Sequence, residues 1–257
     1  MSSDVALVGT QIRYEQKSYW RNPSAAFFTF AFPLVFFIIL VGAAGGGHDS
    51  DVLGTGVKLS QYYTPSVLGY AVMSACFLSI AMNLVRQREF GVLKRMRGTP
   101  LPSWALIGGV IGNAIIVATL LSAVCITFAI TVYGVSLPAS HLLPVIVTIA
   151  LAALVFCALG VAVSSLIPNM DSGPAILNLP YFVMVFISGT YFPINGGMAR
   201  VAAYLPLRPF IVALYKSFNP FTTGSAWAPH QLGSLALWGV GSTIFAVRHF
   251  RWTPRRG

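Results

Sequence analysis

Arg86-Gln87-Arg88-Glu89-Phe90-Gly91-Val92-Leu93-Lys94-Arg95-Met96-Arg97 crowds five cations and one carboxylate together and opens directly onto a run, Gly98 to Met170, without a single Asp, Glu, Lys or Arg. A run of that length with no charge is suited to hydrocarbon, and the cluster marks where the chain returns to water. The rest of the chain agrees. Hydrophobic residues make up 56% and charged residues 9%, against roughly 25% charged in an average soluble domain, and the mean hydropathy is +0.76.

A helix needs about 20 apolar residues to cross a hydrocarbon core of roughly 30 Å. Runs of that order lie at 24–43, 62–85, 104–133, 142–166, 174–192 and 230–247. A closed barrel would instead show alternating segments of about 10 residues. The expected fold is therefore an all-α membrane protein with six transmembrane helices. Asp4, Arg13, Glu15, Lys17 and Arg21 precede the first run and no Ala-x-Ala site closes it, so it reads as a retained span. Of the 16 Lys and Arg, three precede the first span, five lie in 86–97 and four follow the last span. With six spans these segments share one side, and positive flanks make it cytoplasmic, with both termini inside. The net charge of +10 thus reports topology. Nucleic-acid binding would want a basic face on a soluble domain, and none is present.

Cys76, Cys125 and Cys157 fall inside spans, where a thiol acts as a small apolar side chain. Neither a disulfide framework nor a zinc site is suggested. His48-Asp49-Ser50-Asp51 alone resembles ligand clustering, but its glycine-rich surroundings read first as a loop, and no metal site is expected.

Two amphipathic segments flank the first spans. Ile12 to Pro23 mixes Tyr14, Tyr19 and Trp20 with Arg13, Lys17 and Arg21 and ends at proline, which suits a helix in the headgroup layer. It reads as a positive-inside anchor or as an elbow that passes motion into the first span. In 86–97, Phe90 and Leu93, and separately Val92 and Met96, recur at helical spacing between cations. Thr99-Pro100-Leu101-Pro102-Ser103 ends that helix, with Ser103 placed to cap the next. An apolar stripe beside a cationic face suits docking in a partner's groove better than merely orienting neighbouring helices.

Asn83, Asn113, Asn178, Ser164 and Ser165 lie within spans, where they line a substrate path or bond to neighbouring helices. Asp171, just before Ser172-Gly173-Pro174, suits the positive end of a starting helix. Gly108-Gly109-x-x-Gly112 permits close helix approach, within a subunit or between subunits.

The run Gln87 to Leu101 is similar to the signature of type-2 ATP-binding cassette permeases, membrane subunits of exporters, in which Glu-x-Gly-x-Leu-Lys-Arg-hydrophobic-Arg precedes Thr-Pro-Leu. The resemblance extends over nearly the whole chain. It takes in Arg21-Asn22-Pro23, Asn178-Leu179-Pro180, Ser188-Gly189-Thr190-Tyr191-Phe192-Pro193 and Tyr204-Leu205-Pro206-Leu207-Arg208-Pro209.

The resemblance implies a half-transporter that pairs with a second permease chain, as homodimer or heterodimer, on two copies of an ABC ATPase subunit. ATP and Mg would be bound by that ATPase, and this chain would carry no cofactor. Within 86–103, a cytoplasmic coupling helix would dock through Arg88, Glu89, Phe90, Leu93, Lys94, Arg95 and Arg97. Segment 1–23 becomes the interfacial connecting helix, with Ile12, Tyr14, Tyr19 and Trp20. Segment 193–229 becomes external re-entrant helices before the last span, and 248–257 a cytoplasmic tail.

No Gly-x-x-x-x-Gly-Lys-Ser/Thr occurs, so hydrolysis would come from another polypeptide. The six carboxylates are dispersed and form no catalytic constellation. Proton antiport would normally need ionisable residues deep in the spans. The expected activity is export of a hydrophobic or amphipathic substrate, drug-like or lipid, from the cytoplasm or inner leaflet, with membrane lipid as the surrounding partner. Asn83, Asn113, Ser164 and Asn178 are the candidate path residues. The alternatives are an ATP-independent secondary carrier or channel, or a non-transporting membrane protein. The compact length and the lack of an N-glycosylation site on the outer loops point to a bacterial inner membrane.

Overall fold

The apolar runs become helices because a chain in lipid must satisfy its backbone internally. The computed structural model describes residues 2–43, 57–98, 102–191, 196–219, 221–222 and 225–250. Its elements are α1 (Ser2–Trp20), α2 (Pro23–Ala43), α3 (Leu59–Met73), a π turn (Ser74–Leu78), α4 (Ser79–Glu89), α5 (Val92–Arg97), α6 (Ser103–Tyr133), α7 (Leu142–Ser164), α8 (Gly173–Ile187), α9 (Gly196–Ala203), α10 (Leu207–Phe218) and α11 (Pro229–His249). The π turn joins α3 and α4 into one helix from Leu59 to Glu89.

Among the described residues four helices are long and apolar enough to cross a membrane: Pro23–Gly42, Leu59–Glu89, Trp104–Tyr133 and Ala139–Ser164. A fifth is reached if α9 and α10, bent by 103°, count as one span. The expected spans at 174–192 and 230–247 match weaker helices. The 15 residues of α8 reach about 22 Å at 1.5 Å per residue, and the chain turns out of the helix at Ser188 and Gly189, the latter at φ 86°. In α11 the length suffices, 21 residues, but Gln231, Gly233, Ser234, Gly239, Gly241, Ser242 and Thr243 dilute its apolar character.

Lipid offers no hydrophobic drive between helices, so close packing of small residues matters. α1 lies along α6, and α11 along α7. Gly108-Gly109-x-x-Gly112 serves the first contact: a methyl built on Gly109 would lie 2.5 Å from Cβ of Gln11, and one on Gly112 2.5 Å from Cδ1 of Ile12. The motif thus works within the chain. Gly160 of α7 faces the π turn, where a methyl would stand 2.8 Å from the Phe77 carbonyl oxygen. Gly69 of α3 receives Ile211 of α10, 2.8 Å from such a methyl. Around these contacts Phe77, Phe156, Phe210, Met73 and Leu121 are fully buried.

Polar contacts gather at two opposite ends of α3–α4. At the Gln61 end, Gln61 is 3% exposed. Its Nε2 donates to the Ser136 carbonyl at 2.7 Å and to the Phe218 carbonyl, and its Oε1 accepts from Ser136 N at 3.2 Å. His141 Nδ1 meets the Ser217 carbonyl at 2.8 Å, and Arg208 donates to the Ser188 carbonyl at 2.7 Å. These three side chains hold α10 against the starts of α3 and α7 and the end of α8. At the opposite end lies the 86–97 cluster.

Candidate functional site

α4 continues as helix through Glu89, where the span ends. Phe90 leaves the helix at φ −74°, ψ 5°, and Gly91 takes the left-handed conformation at φ 67°, which favours glycine. α5 then starts afresh at Val92. The single coupling helix expected over 86–97 is thus two pieces with a turn between them, because Gly91 reverses the backbone. Ser103, expected as an N-cap, is the first residue of α6, after an extended Pro102.

The turn separates side chains that lie together in the sequence. Arg88 is 4% exposed, with Nη1 donating to the Ser164 carbonyl at 3.2 Å and Nη2 to the Ile167 carbonyl. A guanidinium is well suited to the unpaired carbonyls at a helix end. Arg88 therefore locks α4 to the end of α7 and is withdrawn from any docking surface. The Glu89 carboxylate accepts from Met170 N at 2.6 Å, tying the same turn to the approach of α8. Leu93 is completely buried and pins α5. What remains outward is Phe90, 65% exposed, and Arg95, whose Nη2 donates to the Phe90 carbonyl at 3.3 Å. The side chains of Lys94 and Arg97, like Thr99-Pro100-Leu101, lie outside the described residues.

Asp171, expected to cap α8, is exposed; the N-cap position is Ser172 and carries no side-chain cap bond, while Asn169 Oδ1 accepts from Ser172 N at 2.9 Å in the turn before the helix. His48-Asp49-Ser50-Asp51 and the tail from Arg251 lie outside the described residues.

α1 joins the turn from the side. Its Glu15 accepts from Asn83 Nδ2 at 3.4 Å through Oε2 and from Gln87 Nε2 at 3.2 Å through Oε1. Ile12 rests over Gly112. Trp20 donates to Gln16 Oε1 at 2.8 Å and stacks on Phe30 with ring centroids 5.9 Å apart. Tyr14 is exposed, and the buried Tyr19 hydroxyl has no hydrogen-bond partner of ordinary geometry among the described residues. α1 and α4 are therefore linked by hydrogen bonds immediately ahead of the exposed Phe90.

Asn83 and Asn113 come together along one groove; Ser164 and Asn178 do not join them. The groove's deep part, a cavity of about 270 Å³ between α2, α6 and the π turn, includes Tyr19, Thr29, Ser79 and Asn113 in its wall. Those four also line a cavity of about 550 Å³, which shares Glu15, Ser18, Asn83 and Arg86 with a third of about 470 Å³ bordered by Phe90. Ser164 bonds back to the Val161 carbonyl at 2.7 Å, and Ser165 to that of Ala162 at 2.6 Å, so both are spent inside α7 and its end. Asn178 is exposed on the face of α8 that carries Leu179 and Phe182.

Sequence reasoning missed Gln61, His141 and Arg208 as organisers of the opposite end, and Glu15 as the link from α1 to α4. A lone amide in the first turn of an apolar run was the available signal for Gln61, since such a group in lipid must find partners.

No curated protein matches the chain. A family model described as ABC-2 type transporter matches residues 7–219, from within α1 to the residue after α10. Most of the packed α1, the four long apolar helices and the turn that carries Phe90 fall inside that match, and the chain belongs to the ABC-2 type transporter family, a multi-pass membrane protein of the permease kind.

Proposed function

We propose that the chain is the membrane subunit of an ATP-driven exporter, whose energy comes from two copies of a separate ATPase that bind ATP and Mg. The observation that carries this reading is the exposed Phe90 beside the left-handed Gly91, with Arg88, Glu89 and Leu93 around it tied inward. An aromatic on a rigid base is a good docking knob, because little order is lost when it is buried in a partner.

Six spans complete the reading. The approach to α8 lies beside Glu89, and α8 ends at Ser188, bonded to Arg208. α11 starts near Trp227, whose carbonyl accepts from Lys216 at 2.7 Å, and ends where Ala246 and Val247 line a common cavity with Ile107 and Ile111 of α6. Each of these two helices thus runs between the two polar ends. The basic segments then lie in the cytoplasm with both termini, and α9–α10 is a re-entrant pair at the Gln61 end. α8 offers an exposed apolar face with Leu179, Phe182, Val183 and Phe186 to a second permease chain, equal or different, with Asn178 beside the shared path.

Closure of the ATPases on ATP moves the docked turn. α4, tied through Arg88 to α7 and through Glu15 to α1, moves with it as one body, so that the space between two permease chains opens outward. Coupling of this kind requires the two states to differ in affinity for nucleotide and for cargo. The cargo is hydrophobic or amphipathic.

The test is co-purification with the ATPase encoded beside the gene, comparing wild type with Phe90→Ala, Arg95→Glu at equal expression. Retention by wild type and loss in the variant is the expected result. Stable isolation of the chain alone, with transport that ignores ATP, would overturn the reading in favour of a secondary carrier.

A further inference from the structure

The groove beside α1 changes character along its length in the way a lipid molecule does. Its deep part is walled by Phe28, Phe32 and Val117. Two guanidinium side chains, Arg21 and Arg86, line the middle cavity nearer the Arg88 end, and both are exposed. The one carboxylate there, Glu15, is turned into the wall, each oxygen accepting an amide N–H from α4.

Between the cations and the aromatics lie two polar groups without a hydrogen bond of ordinary geometry among the described residues. Asn113 is 9% exposed, and its Oδ1 has no partner among the described residues although Asn113 lines both the deep and the middle cavity. The buried Tyr19 hydroxyl, whose contact with Thr29 falls short of ordinary hydrogen-bond geometry, lines both cavities as well. Unpaired polar atoms in a low-dielectric setting are costly, so their presence in a cavity wall points to a ligand with polar atoms at that level. Length fits as well. From Pro23 to Pro33 the helix rises about 15 Å, half of a hydrocarbon core of roughly 30 Å. With the Arg88 end on the cytoplasmic side, the groove spans the inner leaflet from headgroup level to midplane.

We propose that this groove binds an anionic amphiphile, its phosphate or carboxylate head between Arg21 and Arg86, its ester or hydroxyl oxygens at Tyr19 and Asn113, and one hydrocarbon chain along Phe28, Phe32 and Val117. The site goes beyond the exporter reading, because occupancy needs neither nucleotide nor ATPase. It differs from the surrounding lipid-facing surface in requiring charge.

The experiment places the full chain in nanodiscs without ATP and adds probes carrying a mid-chain diazirine: phosphatidylglycerol, phosphatidylcholine or a free fatty acid. After irradiation, adducts are mapped by mass spectrometry. Adducts within 28–33 and 113–117 are expected from an anionic probe, falling about thirtyfold in Arg21→Gln, Arg86→Gln, in line with roughly 1 kcal/mol for each of the two cations near an anionic surface. Ser79→Phe, at an exposed position in the wall, should remove them by occlusion with the cations intact. Labelling by phosphatidylglycerol identifies the bilayer as the source; labelling by fatty acid alone identifies a cytoplasmic amphipathic anion. Equal labelling by phosphatidylcholine, indifference to the arginine substitutions, or no adducts from either anionic probe overturns the proposal. The orientation of the chain, which cysteine labelling from outside the cell reads, fails or succeeds independently.

Discussion

Arg88 and Phe90 stand two positions apart and face opposite ways. Both belong to one cationic and apolar stretch, and the family resemblance gave each the same docking role. What the pattern cannot encode is the neighbour: α7 ends beside α4 and presents carbonyls that only a long donor can reach. Hydrogen bonds to a charged group contribute about 1.5–3 kcal/mol each, so Arg88→Ala should cost about 3 kcal/mol and lower the melting temperature of the purified chain. Arg88→Lys should recover only part, since an ammonium lacks the planar fork that reaches two carbonyls. Phe90→Ala should leave that melting temperature unaltered. A loss of stability in Phe90→Ala equal to that in Arg88→Ala would sink the division of labour.

At the scale of elements, glycines decide how near two helices come, and their partners were partly legible. Gly108-Gly109-x-x-Gly112 announced a close approach, but its partner, α1, became clear only when Gln11 and Ile12 were found over it. The π turn at Ser74–Leu78 left no signal in the apolar pattern, because one extra residue in a uniformly apolar helix changes no visible period. Its consequence is at Gly160, which must pass the Phe77 carbonyl. Backbone cannot move aside as a flexible side chain can. Gly160→Val should therefore destabilise by about 1–3 kcal/mol, the usual range for overpacking, whereas Gly42→Ala, with nothing within 4 Å of the added methyl, should be neutral. Thermal unfolding in detergent separates the two, and equal melting temperatures would refute the contact.

For the whole molecule, the apolar runs of the first four spans were readable, their bounds lying within four residues of the candidate membrane helices. The last two were readable as positions but not as spans of full strength, since α8 ends early at Ser188 and Gly189 and α11 is diluted by polar and glycine residues. Topology can be measured directly because the three native cysteines are buried. Single cysteines at Ser140 and Arg200 should react with an impermeant maleimide from outside intact cells, and one at Asn169 only after permeabilisation. Reaction at Asn169 in intact cells would reverse the orientation. The three-way grip of Gln61 also has a timing that no static picture displays. Its partner Ser136 follows it by 75 residues and Phe218 by 157, so at about 5–20 residues per second the ribosome needs about 8–31 s to supply the second. Until then the start of α3 holds an amide hydrogen with no acceptor from α10. Synthesis order thus makes the late-arriving α10 the closing stitch of the Gln61 end, and a chain interrupted before it leaves that end unfastened.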